Sequence, residues 1–176
     1  VVRPADAREV AAGWAIALGR KKGPTAFSLT RQKLPAIERD AAFDAKSMLR
    51  GAYVAREATG GKPDLVIVAT GSELHLATGA RLELEKQGKK VRVVSGLCLE
   101  VFAEQDQAYR DAVLPRGVRT VSIEAGRTEP WLALVGRDGL AIGVDRFGAS
   151  APDKVIAEKF GLTVDAVTKK ISDWAR

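Results

Sequence analysis

Leu65-Val66-Ile67-Val68-Ala69-Thr70-Gly71-Ser72-Glu73 is the stretch on which the fold turns. Its first five residues form a continuous apolar run, the pattern of a strand covered on both faces. Gly71 supplies a turn and Ser72 a good N-cap, so the spacing predicts a helix over about 73–87. That helix buries Leu74, Ala77 and Leu84 and is stopped by Gly88. Val91-Arg92-Val93-Val94-Ser95 reads as the following strand and completes a βαβ unit.

Toward the C-terminus the alternation continues. A helix is expected from about Glu104 to Val113, ending before Pro115. The strand Thr120–Ile123 then leads into Glu124-Ala125-Gly126. A short helix near Trp131–Val135, a strand over Leu140–Val144 and a helix opened by Pro152 and reaching Phe160 come next. The last helix follows Thr163 and carries Val164, Val167, Ile171 and Trp174 on one stripe.

Toward the N-terminus the signals weaken. Gly51-Ala52-Tyr53-Val54 reads as a short edge strand, with a turn at 59–63. Residues 36–50 are rich in charge, with apolar residues only at Ile37, Phe43, Met48 and Leu49, and read as a linker or an exposed connection. Thr25–Thr30 reads as a strand. Before it, Asp6 and Glu9 have capping-box spacing at a helix start, and Val10, Trp14, Ala17 and Leu18 recur as a buried stripe until Gly23-Pro24. The expected fold is α/β, a three-layer α/β/α domain with a mostly parallel sheet, preceded by a helix–strand appendage.

Composition limits the function. The chain has 176 residues, 46% of them hydrophobic and 28% charged, with a net charge of +6. These values suit an ordinary globular domain. Its apolar runs are too short to span a bilayer, and its one cysteine, Cys98, forms no internal disulfide and fits a reducing, cytoplasmic setting. The basic groups Arg20-Lys21-Lys22, Lys89-Lys90 and Lys169-Lys170 fall where helices or turns are expected to end, complementing helix dipoles. Only 6% of residues are aromatic and none is interleaved with these groups, which argues against a nucleic-acid partner.

Several residues invite a chemical role. Gly71-Ser72 could offer backbone amides to an anion, but neither a dinucleotide fingerprint nor a P-loop is present, and Glu73 would repel a phosphate. His75, the sole histidine, has no companion ligands for a metal and no acid to orient it toward Ser72. Glu124 sits at a strand end, where it either faces a ligand crevice or pairs with a neighbour such as Arg127. Arg31 follows a strand directly. It either projects its phosphate-binding fork into a crevice or makes a salt bridge at an element end.

The ordered set Arg3-Pro4-Ala5-Asp6-Ala7, Gly23-Pro24-Thr25-Ala26, Leu29-Thr30-Arg31-Gln32-Lys33-Leu34-Pro35, Ala69-Thr70-Gly71-Ser72-Glu73, Glu124-Ala125-Gly126 and Gly143–Pro152 resembles the C-terminal part of transketolases. The Gly143–Pro152 block favours them over sister enzymes that share the domain. Gly96-Leu97-Cys98 departs from the Met-Pro-Ser usual at that place. The resemblance implies that 1–35 is the tail of a pyrimidine-binding domain, 36–50 a linker and 51–176 a C-terminal domain with a mixed five-stranded sheet. It implies that Arg31 binds the phosphate of the sugar substrate, and assigns no catalytic, cofactor or metal residue to this chain. Thiamine diphosphate and Mg²⁺ belong to the intact parent, a homodimer moving ketol units between sugar phosphates. The segments that hold the cofactor and activate it are not in this sequence, so the chain alone is expected to be inactive. The alternative is a stand-alone α/β module that binds a small anion or serves regulatory interactions.

Overall fold

A computed structural model describes all residues from Val1 to Arg176. Its centre is the apolar run just quoted, now strand β2 (Leu65–Ala69), in which every residue is buried. Around it lie β1 (Tyr53–Arg56), β3 (Val91–Ser95), β4 (Arg119–Ile123) and β5 (Leu140–Ile142), giving one five-stranded sheet ordered β1-β3-β2-β4-β5. The pairings β2–β3, β2–β4 and β4–β5 are parallel. Only β1, at the edge, runs antiparallel, against β3. The sheet is thus mixed and mostly parallel.

The helices are α1 (Ala7–Gly19), α2 (Glu73–Lys86), α3 (Leu99–Ala103), α4 (Gln107–Val113), α5 (Leu132–Val135), α6 (Asp153–Phe160) and α7 (Val164–Trp174). Strand side chains alternate between faces, which sorts the core into two layers. Leu65, Ile67 and Ala69 meet Leu74, Ala77 and Leu84 of α2 and Val167 and Ile171 of α7. Val66 and Val68 meet Phe102, Val113 and Trp131 on the opposite face. Helices on both faces give the three layers expected.

Several expectations need correction. The helix expected over 104–113 begins only at Gln107, where Asp106 caps it by accepting the Tyr109 N–H, and a separate short helix, α3, precedes it. Ser72 precedes α2 without a side-chain cap; its hydroxyl donates to Glu73 instead. Strand β5 stops at Ile142, short of Val144. Lys169 and Lys170 lie inside α7, where Lys169 pairs with Asp173 at 2.8 Å, rather than at a helix end.

The largest differences lie in the first fifty residues. Thr25–Thr30 is extended, but only Phe27 bridges, in parallel, to Val2, so no full strand forms. A strand needs a neighbour along its length, and none is present here. On α1 the stripe Val10, Trp14, Ala17, Leu18 is not the buried one. Trp14 and Leu18 are 56% and 73% exposed, whereas Glu9 and Gly13 are buried. A Cβ on Gly13 would stand 2.7 Å from Val2 and 2.9 Å from Phe27, so the helix approaches the chain through its smallest residue. Nor is 36–50 exposed throughout. Ile37 enters the main core, Met48 is buried, and the Arg39 side chain is 2% exposed. Gly51 follows with φ +87°, and a side chain there would strike the backbone of Cys98 and Phe102.

Candidate functional site

Arg31 sits at the apex of a tight turn. The Thr30 hydroxyl donates to the Gln32 side-chain oxygen and accepts the Gln32 backbone N–H at 3.3 Å, closing a loop around the residue between them. Arg31 is exposed there and makes no hydrogen bond or ion pair within the chain. The salt-bridge reading of this residue therefore finds no partner. Its guanidinium keeps its donors free for a planar, charged acceptor.

Beside this turn lies the crevice at the carboxyl ends of β2 and β4. The chain leaves β2 toward β3 on one side and returns to β4 on the other, so this is the switch point of the sheet, the usual ligand position in doubly wound folds. Here it is occupied by Arg3. The Arg3 Nε donates to Thr70 at 3.2 Å, and its terminal nitrogens approach Glu124 at 3.4 Å and Glu73 at 3.9 Å. Glu124 also accepts from the Thr70 hydroxyl and the Trp131 indole N–H, each at 3.1 Å. The open question about Glu124 is thereby answered: it faces the crevice, and Arg127 pairs with Glu129 instead. With Glu73 at the start of α2 and Glu124 opposite, the crevice has the wrong sign for the small anion that the alternative reading places there.

Sequence reasoning missed a buried ion cluster that joins three segments. Asp6 caps α1 by accepting the Glu9 N–H, and also accepts from the Ile37 N–H and from Arg39 at 2.8 Å. Glu9, wholly buried, accepts from the Ala5 N–H at 2.7 Å and from the hydroxyls of Tyr53 and Ser95, each at 2.6 Å. Arg39 donates to Tyr53 at 3.0 Å and lies 3.6 Å from Glu9. Burial pushes the Glu9 carboxyl above its usual range, although Ser95, Tyr53 and Ala5 donate to it. Burial acts on Asp6 in the same sense, but the bonds from Arg39, Glu9 and Ile37 outweigh it and hold that group below the usual range. The only sequence signal was the capping-box spacing of Asp6 and Glu9. Even there, the back-bond of Glu9 goes to Ala5 rather than to the cap.

His75 lies in the first turn of α2, beside Ala5 and Asp6. Its Nε2 is buried without a partner, and burial lowers its pKa. No group of three His, Cys, Asp or Glu side chains is placed to hold a metal ion. The residues present do not fit a diphosphate–Mg²⁺ site.

Residues 51–163 match the family model described as the transketolase-like C-terminal domain. The chain belongs to the transketolase family. It is 49% identical over 172 residues to a transketolase of Aquifex aeolicus, an alignment covering 97% of this chain and 25% of that protein. Among solved structures it resembles a transketolase of Leishmania mexicana, with a TM-score of 0.87 and 38% identity over 99% of this chain and 25% of the other. A transketolase from Pichia stipitis, described as the H261F mutant, gives a TM-score of 0.88 at 34% identity, covering 98% and 24%. The chain therefore spans about a quarter of the transketolases it matches. Fold and family agree: the mixed five-stranded sheet with helices on both sides is that of the transketolase C-terminal α/β domain.

Proposed function

We propose that this chain is the C-terminal portion of a thiamine-diphosphate-dependent transketolase, in which Arg31 binds the phosphate of the sugar substrate. The parent transfers a two-carbon ketol unit from a ketose phosphate to an aldose phosphate in the pentose phosphate pathway, as a cytoplasmic homodimer. Its cofactor supplies the carbanion chemistry from outside this chain. Within this portion, 51–176 serves as scaffold and dimer support, and 36–50 links it to 1–35, the tail of the pyrimidine-binding domain.

The observation that carries the proposal is the state of Arg31. Arg3 in the crevice and Arg39 in the buried cluster are committed to carboxylates, while Arg31 is raised on a stitched turn and left unpaired. The division at 1–35 has support of its own. Val2, α1 and Phe27 form a parallel βαβ unit reduced to a single bridge, and parallel ladders are stable only within larger, covered sheets. The exposed Trp14 and Leu18 face outward from that same unit. A missing sheet explains both features.

The test is Arg31→Ala in a full-length transketolase that carries this chain as its C-terminal part. KM for phosphorylated substrates should rise more than kcat falls, since a phosphate clamp away from the reacting bond is mostly uniform binding. An unchanged KM would remove the assignment. The chain alone should neither transfer ketol units nor bind thiamine diphosphate; micromolar binding in a calorimetric titration would contradict that. A thermal-shift series with sugar phosphates should likewise leave it unmoved.

A further inference from the structure

We propose that Arg3 is a positioning residue: its guanidinium fills the switch-point crevice and, from there, holds the Ser28–Gln32 loop that presents Arg31. The functional consequence rests on the phosphate role proposed for Arg31; the positioning itself does not.

The crevice is organised independently of Arg3. Glu124 is held by Thr70 and Trp131, as described above. Glu73 accepts from the Ala125 N–H at 3.1 Å and from the Ser72 hydroxyl at 2.7 Å, and its side chain is 8% exposed. Two fixed carboxylates so placed repel each other unless a cation stands between them. Arg3 is brought there by its backbone. Its N–H donates to Leu97 at 2.9 Å, beyond β3, and its carbonyl accepts the Gly71 N–H at 3.0 Å, beyond β2. Residue 3 therefore crosses the ends of two strands, and its side chain drops toward the third.

The same Arg3 nitrogen that approaches Glu124 also reaches the loop. This NH1 donates to the Ser28 hydroxyl at 3.5 Å, while the Ser28 N–H donates to the Val2 carbonyl at 2.9 Å. Leu29 and Thr30 line the same crevice of about 160 Å³. The loop thus hangs from residues 2 and 3 by one backbone bond and one guanidinium bond. Thr30 and Gln32 close the turn two residues later. A guanidinium spans Thr70, Ser28 and two carboxylates because its donors spread in a plane; an ammonium is a single point of charge on a flexible stem. The ligand position of this sheet is in effect filled from within, by the segment whose placement it then fixes.

The experiment is amide hydrogen exchange, read residue by residue by NMR on the full 176-residue chain as wild type, Arg3→Ala and Glu124→Gln. In Arg3→Ala, exchange at the Ser28 and Gln32 amides, the two hydrogen-bonded in the loop, should quicken by about tenfold, the loss of a charged hydrogen-bond anchor, while α7 stays unchanged. Millimolar methylguanidinium should reverse the effect in Arg3→Ala and leave wild type unaltered. Methylammonium at the same concentration should not reverse it. Should Arg3→Ala fail to fold, Glu124→Gln keeps the shape, weakens the cradle and should loosen the same loop. Unchanged exchange at the Ser28 and Gln32 amides in the folded variants overturns the proposal, as does equal rescue by methylammonium. The readout uses no phosphate ligand, so failure here and failure of the Arg31 assignment are separate results.

Discussion

The two parts of this chain are held in place by different mixtures of apolar and ionic contact. Residues 51–176 are built on apolar burial: every residue of β2 and β3 is inside, and the two core layers form from alternate sides of the same strands. Residues 1–50 have little regular structure beyond α1, and part of that helix's apolar surface faces outward. They are fixed to the sheet by apolar contacts, Val2 and Met48 against Tyr53, Ala55 and Leu97 and Ile37 in the main core, and by ions, through the Asp6–Glu9–Arg39–Tyr53–Ser95 cluster and through Arg3. An apolar layer specifies that something is buried but tolerates shifts in how. A buried charge network is costly to leave unsatisfied and accepts few arrangements. The contrast teaches that the first part adds a specified orientation on top of the apolar surface it buries.

The largest effect should come from breaking that specification. Arg39→Ala leaves Asp6 and Glu9 without their buried cation, and such a loss is about 3–5 kcal/mol. Ile67→Ala at the centre of β2 removes a wholly buried side chain at about 2–5 kcal/mol. Hydrogen exchange distinguishes them. Arg39→Ala should free α1 and 36–50 while β2 and β3 stay protected; Ile67→Ala should weaken protection everywhere. Uniform loss in both would show a single cooperative unit and end the comparison.

A pH titration sharpens it further. Asp6 is depressed below its ordinary value of 3.8, so its contribution to stability is present above that value. It is lost as pH falls through the lower, folded pKa. Glu9 is raised above 4.5 and has the opposite slope, its contribution declining as pH climbs through the folded pKa. Asp6→Asn should therefore flatten the acid limb of stability, measured by urea unfolding across pH, and an unchanged limb would place the acid sensitivity elsewhere. The smallest effect belongs to the outer face of α1. Leu18→Ser should change the stability of this chain by no more than about 0.5 kcal/mol, because that side chain already meets solvent. A large loss would mean that this face is covered in solution by another copy.

The sequence by itself determined the sheet and its helices. The runs 65–69 and 91–95 and the stripe Val167, Ile171 are strong periodic signals, and their burial follows from local pattern alone. It also placed Arg31 directly after an extended segment, and its motifs pointed to the family. What it misjudged was α1 and 36–50, where pattern and burial part company: Trp14 and Leu18 look like core, whereas Arg39 and Glu9 look like surface. Only the tertiary structure decides such cases, because a charged group enters the interior when its partners arrive with it. Those partners lie up to 86 residues away, as Glu9 and Ser95 do. Arg3 is the same case in smaller form, an ordinary surface residue by sequence. The ends of three strands give it its place.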